Sequence, residues 1–254
     1  MLSSINNISP IDGRYKKYTE QLNAIFSESA FIKHRILIEI KYFIFLLKFN
    51  TKEFPYNEKL HKLMDTLYND TNNEDTNNED TNNEDTNNEH INNDNINIVK
   101  NIENKINHDV KSIEYFLANI LKENSHENYV NLLHFGLTSQ DINTTAYSIS
   151  IKDFNDKIFL PEIAKLFDVL TNKITDWNKT VMLGRTHGQP ATWTLLGKEF
   201  DVFYYKIFNE IKVINEYKFT TKFSGAVGNM TSHKIFAEID WYTKIDEFIK
   251  EFGL

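Results

Sequence analysis

The chain has 254 residues, 41% of them hydrophobic, and a formal net charge of −8. That length allows one or two domains with a sizeable core. Cysteine is absent, which excludes a disulfide framework and a thiolate metal site and fits a reducing, cytoplasmic setting. The N-terminus lacks the basic and apolar regions of a secretory signal, and no apolar run approaches the roughly 20 residues that span a bilayer. The charge is local: Glu74, Asp75, Glu79, Asp80, Glu84, Asp85 and Glu89 fall between Thr71 and His90 with no Lys or Arg among them. The remainder is nearly neutral, so no basic footprint points to nucleic acid.

The first polar cluster is Pro10-Ile11-Asp12-Gly13-Arg14-Tyr15, in which Asp12-Gly13 is a turn pair. Residues 27–49 carry Phe31, Ile32, Arg35, Ile36, Ile38, Glu39, Tyr42, Phe43 and Leu46, an apolar helical stripe with a wet face. Residues 71–90 repeat a five-residue TNNED unit with almost no apolar content. Such a segment cannot bury enough surface to offset its ordering entropy, and a disordered insertion is expected at about 70–95.

Beyond it, Val110, Ile113, Phe116, Leu117 and Ile120 recur at helical spacing, with Asn107-His108-Asp109 near the start of that helix. A long helical pattern runs from about 141 to 181, with a kink or break expected near Pro161. A second runs from about Thr192 to Phe219, and a third begins near Ser232. Long rods must bury a stripe along their length and usually bundle to do so. The expected fold is all-α. A small N-terminal helical domain over 1–130 is followed over 131–254 by the first long helices of a central bundle. Two and a half rods close a bundle poorly, so a homo-oligomer is expected.

Four clusters interrupt the helical rhythm: 10–15, 107–109, 134–143 and 184–192, the last followed by Ser224–Asn229. Each has a structural reading. Asn107 and Asp109 are common helix starters, Thr138-Ser139-Gln140-Asp141 could cap a helix, and Ser224–Gly228 could be a plain turn. The run Gly184-Arg185-Thr186-His187-Gly188-Gln189-Pro190-Ala191-Thr192 differs. It sets a histidine in a tight polar turn, between stretches read as helix-like. Histidine alone titrates near neutrality when unperturbed. Arg14, Thr138, Ser139, Gln189 and Asn229 can hold carboxylate or phosphate, and His108 and His187 can manage protons. No phosphate-binding GxxxxGK[ST] loop, nucleophile elbow or HExxH metal motif is present, and no cofactor is called for. Proton transfer on a small anionic substrate is left.

Together SPIDGRY at 9–15, INHDVKSIEYFL at 106–117, HFGLTSQDINTTA at 134–146, GRTHGQPATWTLLGKE at 184–199 and SGAVGNMTSH at 224–233 resemble the adenylosuccinate lyase family of the fumarase/aspartase superfamily. The resemblance spans nearly the whole chain apart from the repeat. It implies reversible β-elimination of fumarate from adenylosuccinate to give AMP, and the same cleavage of succinyl-aminoimidazole-carboxamide ribotide in purine nucleotide biosynthesis. In that family the position of His187 is the general acid. That of His108 assists near the phosphate and the departing nitrogen. Arg14 and Tyr15 match phosphate contacts, and Thr138 and Ser139 match donors to the succinyl part. Asn107, Asp109, Gln189 and Asn229 match wall positions. The resemblance also implies a homotetramer with shared active sites. The family's basic serine sits in a GSSxMPxKxNP-like loop that does not occur in these 254 residues. The chain is therefore expected to be truncated, lacking the C-terminal remainder and inactive alone. The alternatives are another fumarate-releasing lyase of the superfamily, or a non-catalytic helical oligomerisation module.

Overall fold

A computed structural model describes residues 7–72 and 89–254. Nearly all of the TNNED repeat lies outside the described residues, and at the edges of the disordered insertion expected at about 70–95, residues 70–72 and 89–95 are helical instead. The chain divides into two compact units, residues 1–151 with 220–254, and residues 152–219. Helices dominate both, in keeping with the all-α expectation, and the described strands form one hairpin. Among the described residues no helix is long and apolar enough to cross a membrane.

In the first unit, one-turn helices α1 (Lys16–Thr19) and α2 (Asn23–Phe26) precede α3 (Glu28–Leu47). The Ser27 side chain starts α3 by accepting the Ala30 N–H at 3.1 Å, which satisfies one of the free donors of the first turn. Helix α3 is buried on nearly every side and packs against α4 (Glu58–Asn72), α5 (Glu89–Ile106) and α6 (Asp109–Glu123). The wet face expected for it is therefore incomplete: Arg35 is 8% exposed and Glu39 is 1% exposed. Other elements cover that face, and the two charges need partners there.

Helix α7 (Ser139–Phe154) follows the loop over 134–138, and α10 (Trp241–Lys250) returns the chain to α3. The rings of Tyr42, Phe223 and Phe248 meet at centroid distances of 5.0–5.6 Å. Burying each such side chain contributes about 1.5–3 kcal/mol. The helix expected from Ser232 begins only at Trp241, where the Asp240 carboxylate accepts the Thr243 N–H. Before it, Met230 has a positive φ and residues 231–240 run as turns around a single 3₁₀ turn at His233–Ile235.

The second unit holds α8 (Leu160–Asp176), strands β1 (Val181–Thr186) and β2 (Gln189–Leu195), and α9 (Leu196–Glu216). Near Pro161, where a kink or break is expected, helical conformation runs from Ser139 to Asp176 without a break but with a local irregularity. A π turn at Asn155–Phe159 sits just before the proline, widening the hydrogen-bond spacing where Pro161 has no N–H to give. Helices α8 and α9 run antiparallel, with Phe167 on Tyr204 and Trp177 on Phe200 at centroid distances of 4.9 and 5.1 Å. Gly197 allows the close start of α9: a Cβ there would lie 2.7 Å from the Ile174 carbonyl oxygen. No residue of α8 is buried within the chain, and Val169, Phe203 and Val213 remain 55–65% exposed.

Candidate active site

His187 lies in a strand hairpin, which corrects both the helix-like flanks expected around it and the helix expected from Thr192. Strands β1 and β2 pair from Val181↔Leu195 to Thr186↔Gln189, with an irregularity around Gly184. A Cβ on Gly184 would lie 2.7 Å from the Thr192 carbonyl oxygen, so glycine lets the strands close at that point. The two turn residues, His187 and Gly188, have φ of 53° and 77°. Two positive values in a two-residue loop define the mirror-image turn that suits strand twist. Glycine takes that conformation freely, but histidine does so at a cost. The turn leaves the His187 imidazole exposed, without a hydrogen bond among the described residues, and Gln189 is exposed beside it.

In the first unit the two middle clusters converge on α3. Asn107 adopts φ 54° between α5 and α6, and His108 is the N-terminal cap of α6. The His108 Nδ1 accepts the Lys111 N–H at 3.1 Å. The cap is therefore His108, rather than Asn107 or Asp109, the helix starters expected from the sequence. The cap also leaves the ring proton on Nε2, at the outer edge of a side chain that is 51% exposed. Next to it, Asp109 Oδ2 accepts Arg35 Nη2 at 2.5 Å, while Arg35 Nε donates to Asn143 Oδ1 at 2.9 Å. Arg35 therefore joins the 107–109 cluster to α7.

Thr138 starts α7. Its carbonyl accepts the Asp141 N–H at 2.9 Å, and its own N–H donates to Asp141 Oδ2 at 2.9 Å. The Asp141 side chain thus assists the helix start as anticipated from the sequence, while the Thr138 side chain takes no part. Asp141 goes further. Its fully buried carboxylate also accepts the N–H groups of Ser224 and Gly225 and pairs with Lys222. The 138–143 and 224–229 clusters are thereby tied together. The hydroxyls of Thr138 and Ser139 make no hydrogen bond among the described residues. Asn229 lies on the same loop but closes its own turn, accepting from the Thr231 N–H and hydroxyl at 3.2 and 2.7 Å. Arg14 and Tyr15 are exposed and pair with each other, the guanidinium carbon lying 5.5 Å from the ring centroid.

The loop before α7 is held from below. His134, with φ 53°, places Nδ1 2.5 Å from Glu39 Oε1. Burial lowers the basicity of this imidazole, but the hydrogen bond and charge of Glu39 outweigh it, and its pKa lies above the ordinary 6.5. Tyr42 donates its hydroxyl to the Phe135 carbonyl and meets His233 Nε2, both at 2.9 Å. Burial chiefly, then the charges of Glu39 and Asp141, raise the Tyr42 pKa well above 10.0. Burial pushes the His233 pKa down against the opposing charge of Asp141. The His233 ring occupies the space a Cβ on Gly136 would need, 2.6 Å from Cε1.

Arg35 and Glu39 enter the sequence reading only within the apolar stripe, His134 and Asn143 only as the ends of the 134–143 cluster, His233 only as the end of the 224–233 motif, and Lys222 not at all. The available signal was the pair Arg35 and Glu39, charges one helical turn apart inside an otherwise apolar pattern. Among the described residues no group of three or more His, Cys, Asp or Glu side chains could hold a metal ion.

Comparison with known proteins matches this architecture. A family model described as Lyase matches residues 13–248. The chain is 36% identical to adenylosuccinate lyase of Dictyostelium discoideum over 98% of its own length and 51% of that protein. It is 34% identical to adenylosuccinate lyase of Buchnera aphidicola from Acyrthosiphon pisum, over all of its length and 52% of that protein. Among solved structures it superposes on β-carboxy-cis,cis-muconate cycloisomerase of Acinetobacter calcoaceticus with a TM-score of 0.66 and 17% identity, covering 92% of this chain and 48% of that one. A fumarate lyase from Mesorhizobium gives 0.64 and 16%, covering 92% and 47%. These two likenesses establish the fold. The chain belongs to the lyase family, within the fumarase/aspartase superfamily. It spans about half the length of the adenylosuccinate lyases it matches.

Proposed function

We infer that these residues form the acid-bearing, substrate-holding part of an adenylosuccinate lyase of AMP and purine biosynthesis. In the reaction a base removes a carbon-bound proton next to a succinyl carboxylate, the C–N bond breaks, and the leaving nitrogen takes a proton. Fumarate and AMP result. The succinyl form of the carboxamide ribotide would be cleaved in the same way. The observation that carries the reading is the strained His187 turn, which holds an imidazole out of the fold with both ring nitrogens unclaimed among the described residues. His187 is assigned the proton delivered to the leaving nitrogen, a role open to an exposed imidazole with no other hydrogen-bond partner among the described residues. His108 would offer its Nε2–H near the phosphate or that nitrogen, and Arg14 and Tyr15 would hold the phosphate. The free hydroxyls of Thr138 and Ser139 would hold the succinyl carboxylates, with Asn107, Asp109, Gln189 and Asn229 as walls.

The proton-abstracting serine of the family has no counterpart in these 254 residues. We assign these residues binding without turnover by themselves. The exposed apolar faces of α8 and α9 support assembly with further copies, a tetramer with shared sites. A central-bundle role for residues 131–254 and a cytoplasmic setting belong to the same reading.

Thermal unfolding with added ligands tests the substrate class. Adenylosuccinate and AMP should raise Tm, by as much as about 2.7 kcal/mol of added stability at a hundredfold excess over Kd. Argininosuccinate should not. Protection by argininosuccinate alone would reassign the chain to a different fumarate-releasing lyase.

A further inference from the structure

We propose that Arg35 is a positioning residue that keeps the Asp109 carboxylate off the His108 ring and thereby fixes His108 as an Nε2–H donor. The proposal rests on the reading of His108 as a substrate-facing residue.

A donor and an acceptor compete for one ring nitrogen of His108. His108 Nδ1 has two neighbours: the Lys111 N–H at 3.1 Å and Asp109 Oδ1 at 3.6 Å. They require opposite states of the ring. The N–H needs a bare Nδ1, whereas a carboxylate would draw the proton onto Nδ1 and leave Nε2 as an acceptor. One side chain decides the contest. Arg35 holds Asp109 Oδ2 at 2.5 Å, so the carboxylate has a cationic partner elsewhere and no need of the imidazole.

Arg35 is itself fixed on three sides. Its Nε is held by Asn143 Oδ1 at 2.9 Å, its guanidinium carbon lies 4.2 Å from the Phe31 ring centroid, and its side chain is only 9% exposed. A planar fork reaching two acceptors at once is a property of arginine that lysine lacks. The same fork sets α6 against α7, so the His108 ring and the Thr138–Ser139 hydroxyls are placed by one cation.

The prediction concerns which ring nitrogen carries the proton, so it can be read without turnover. Long-range 1H–15N correlation spectra of the 254-residue protein at about pH 8, where an ordinary imidazole is neutral, should show His108 protonated at Nε2 and bare at Nδ1. In Arg35→Met the proton should move predominantly to Nδ1. In Arg35→Met combined with Asp109→Ala the wild-type pattern should return, because the competing acceptor is gone. Arg35→Lys, which keeps the buried charge, should give a mixture and serves if the methionine variant does not fold. An unchanged His108 pattern in the folded Arg35→Met protein, or in Arg35→Lys if only that folds, would overturn the proposal. So would an Nδ1–H ring in the wild type. Titrating the wild type with AMP separates the two layers: a His108 signal indifferent to AMP, with the Arg35 effect intact, would sink the substrate-facing role alone.

Discussion

Asp141 Oδ2 accepts the backbone N–H of Gly225 at 3.0 Å, joining the first turn of α7 to a loop 84 residues away in the chain. The same oxygen accepts the Thr138 N–H at 2.9 Å, and Oδ1 takes the Ser224 N–H and Lys222. One buried carboxylate thus starts α7 and anchors the glycine loop that faces it.

Asp141→Ala should therefore cost about 2–4 kcal/mol, since it leaves several donors unsatisfied at once. Lys222→Met should cost less, about 1–2 kcal/mol, because three backbone N–H groups still hold the buried carboxylate. Urea unfolding of both variants checks the ranking. Equal losses would mean that the ion pair, rather than the backbone donors, holds the junction.

The glycines should separate by what surrounds them. Gly136 has φ 72° and a Cβ there would strike the His233 ring, whereas Gly188 has φ 77° and nothing within 4 Å. Gly188→Ala should cost about 1–2 kcal/mol of backbone strain. Gly136→Ala should cost that plus about 1–3 kcal/mol of overpacking. Thermal unfolding that ranks them the other way would contradict the packing described for the 134–138 loop.

The Glu39–His134 pair should make stability depend on pH with a defined sign. The folded-state pKa of His134 is raised above 6.5. Its contribution is fully present below the unfolded value and is lost as pH rises through the folded one. The stability advantage of wild type over His134→Gln should therefore shrink from mildly acidic to alkaline pH. An advantage that grows on that path would show that the pair is not an ion pair in the fold.

In an active enzyme carrying this hairpin, His187→Ala should lower kcat by about 10²–10⁴-fold, the usual worth of a positioned proton donor. AMP affinity should change little. Steady-state rates and AMP titration check the split, and near-normal kcat would remove the acid assignment.

Much of this was legible in the sequence, and the failures are physical ones. Helical periodicity located α3, α6 and α9 because each buries apolar residues at that period. The sequence reading finds the turn but not the strands, because helical spacing is carried up to about 181 on one side and from about Thr192 on the other, where β-branched and aromatic residues flank His187-Gly188. That pair behaves as an Asn-Gly turn would, with both residues at positive φ. Arg35 and Glu39 were read as part of a stripe because periodicity reports which face a residue occupies, not what covers that face. Their partners Asp109, Asn143 and His134 are 74, 108 and 95 residues away. Only the fold brings such residues together. The motif residues were visible because glycine, histidine and clustered polar side chains interrupt an apolar rhythm.

We infer that these 254 residues bind the substrate and carry the acid without the base. Equilibrium binding of adenylosuccinate to the purified chain, with fumarate measured in the same samples, tests it most directly. Saturable binding and no fumarate are expected. Fumarate release by these residues alone, or no binding, would contradict it.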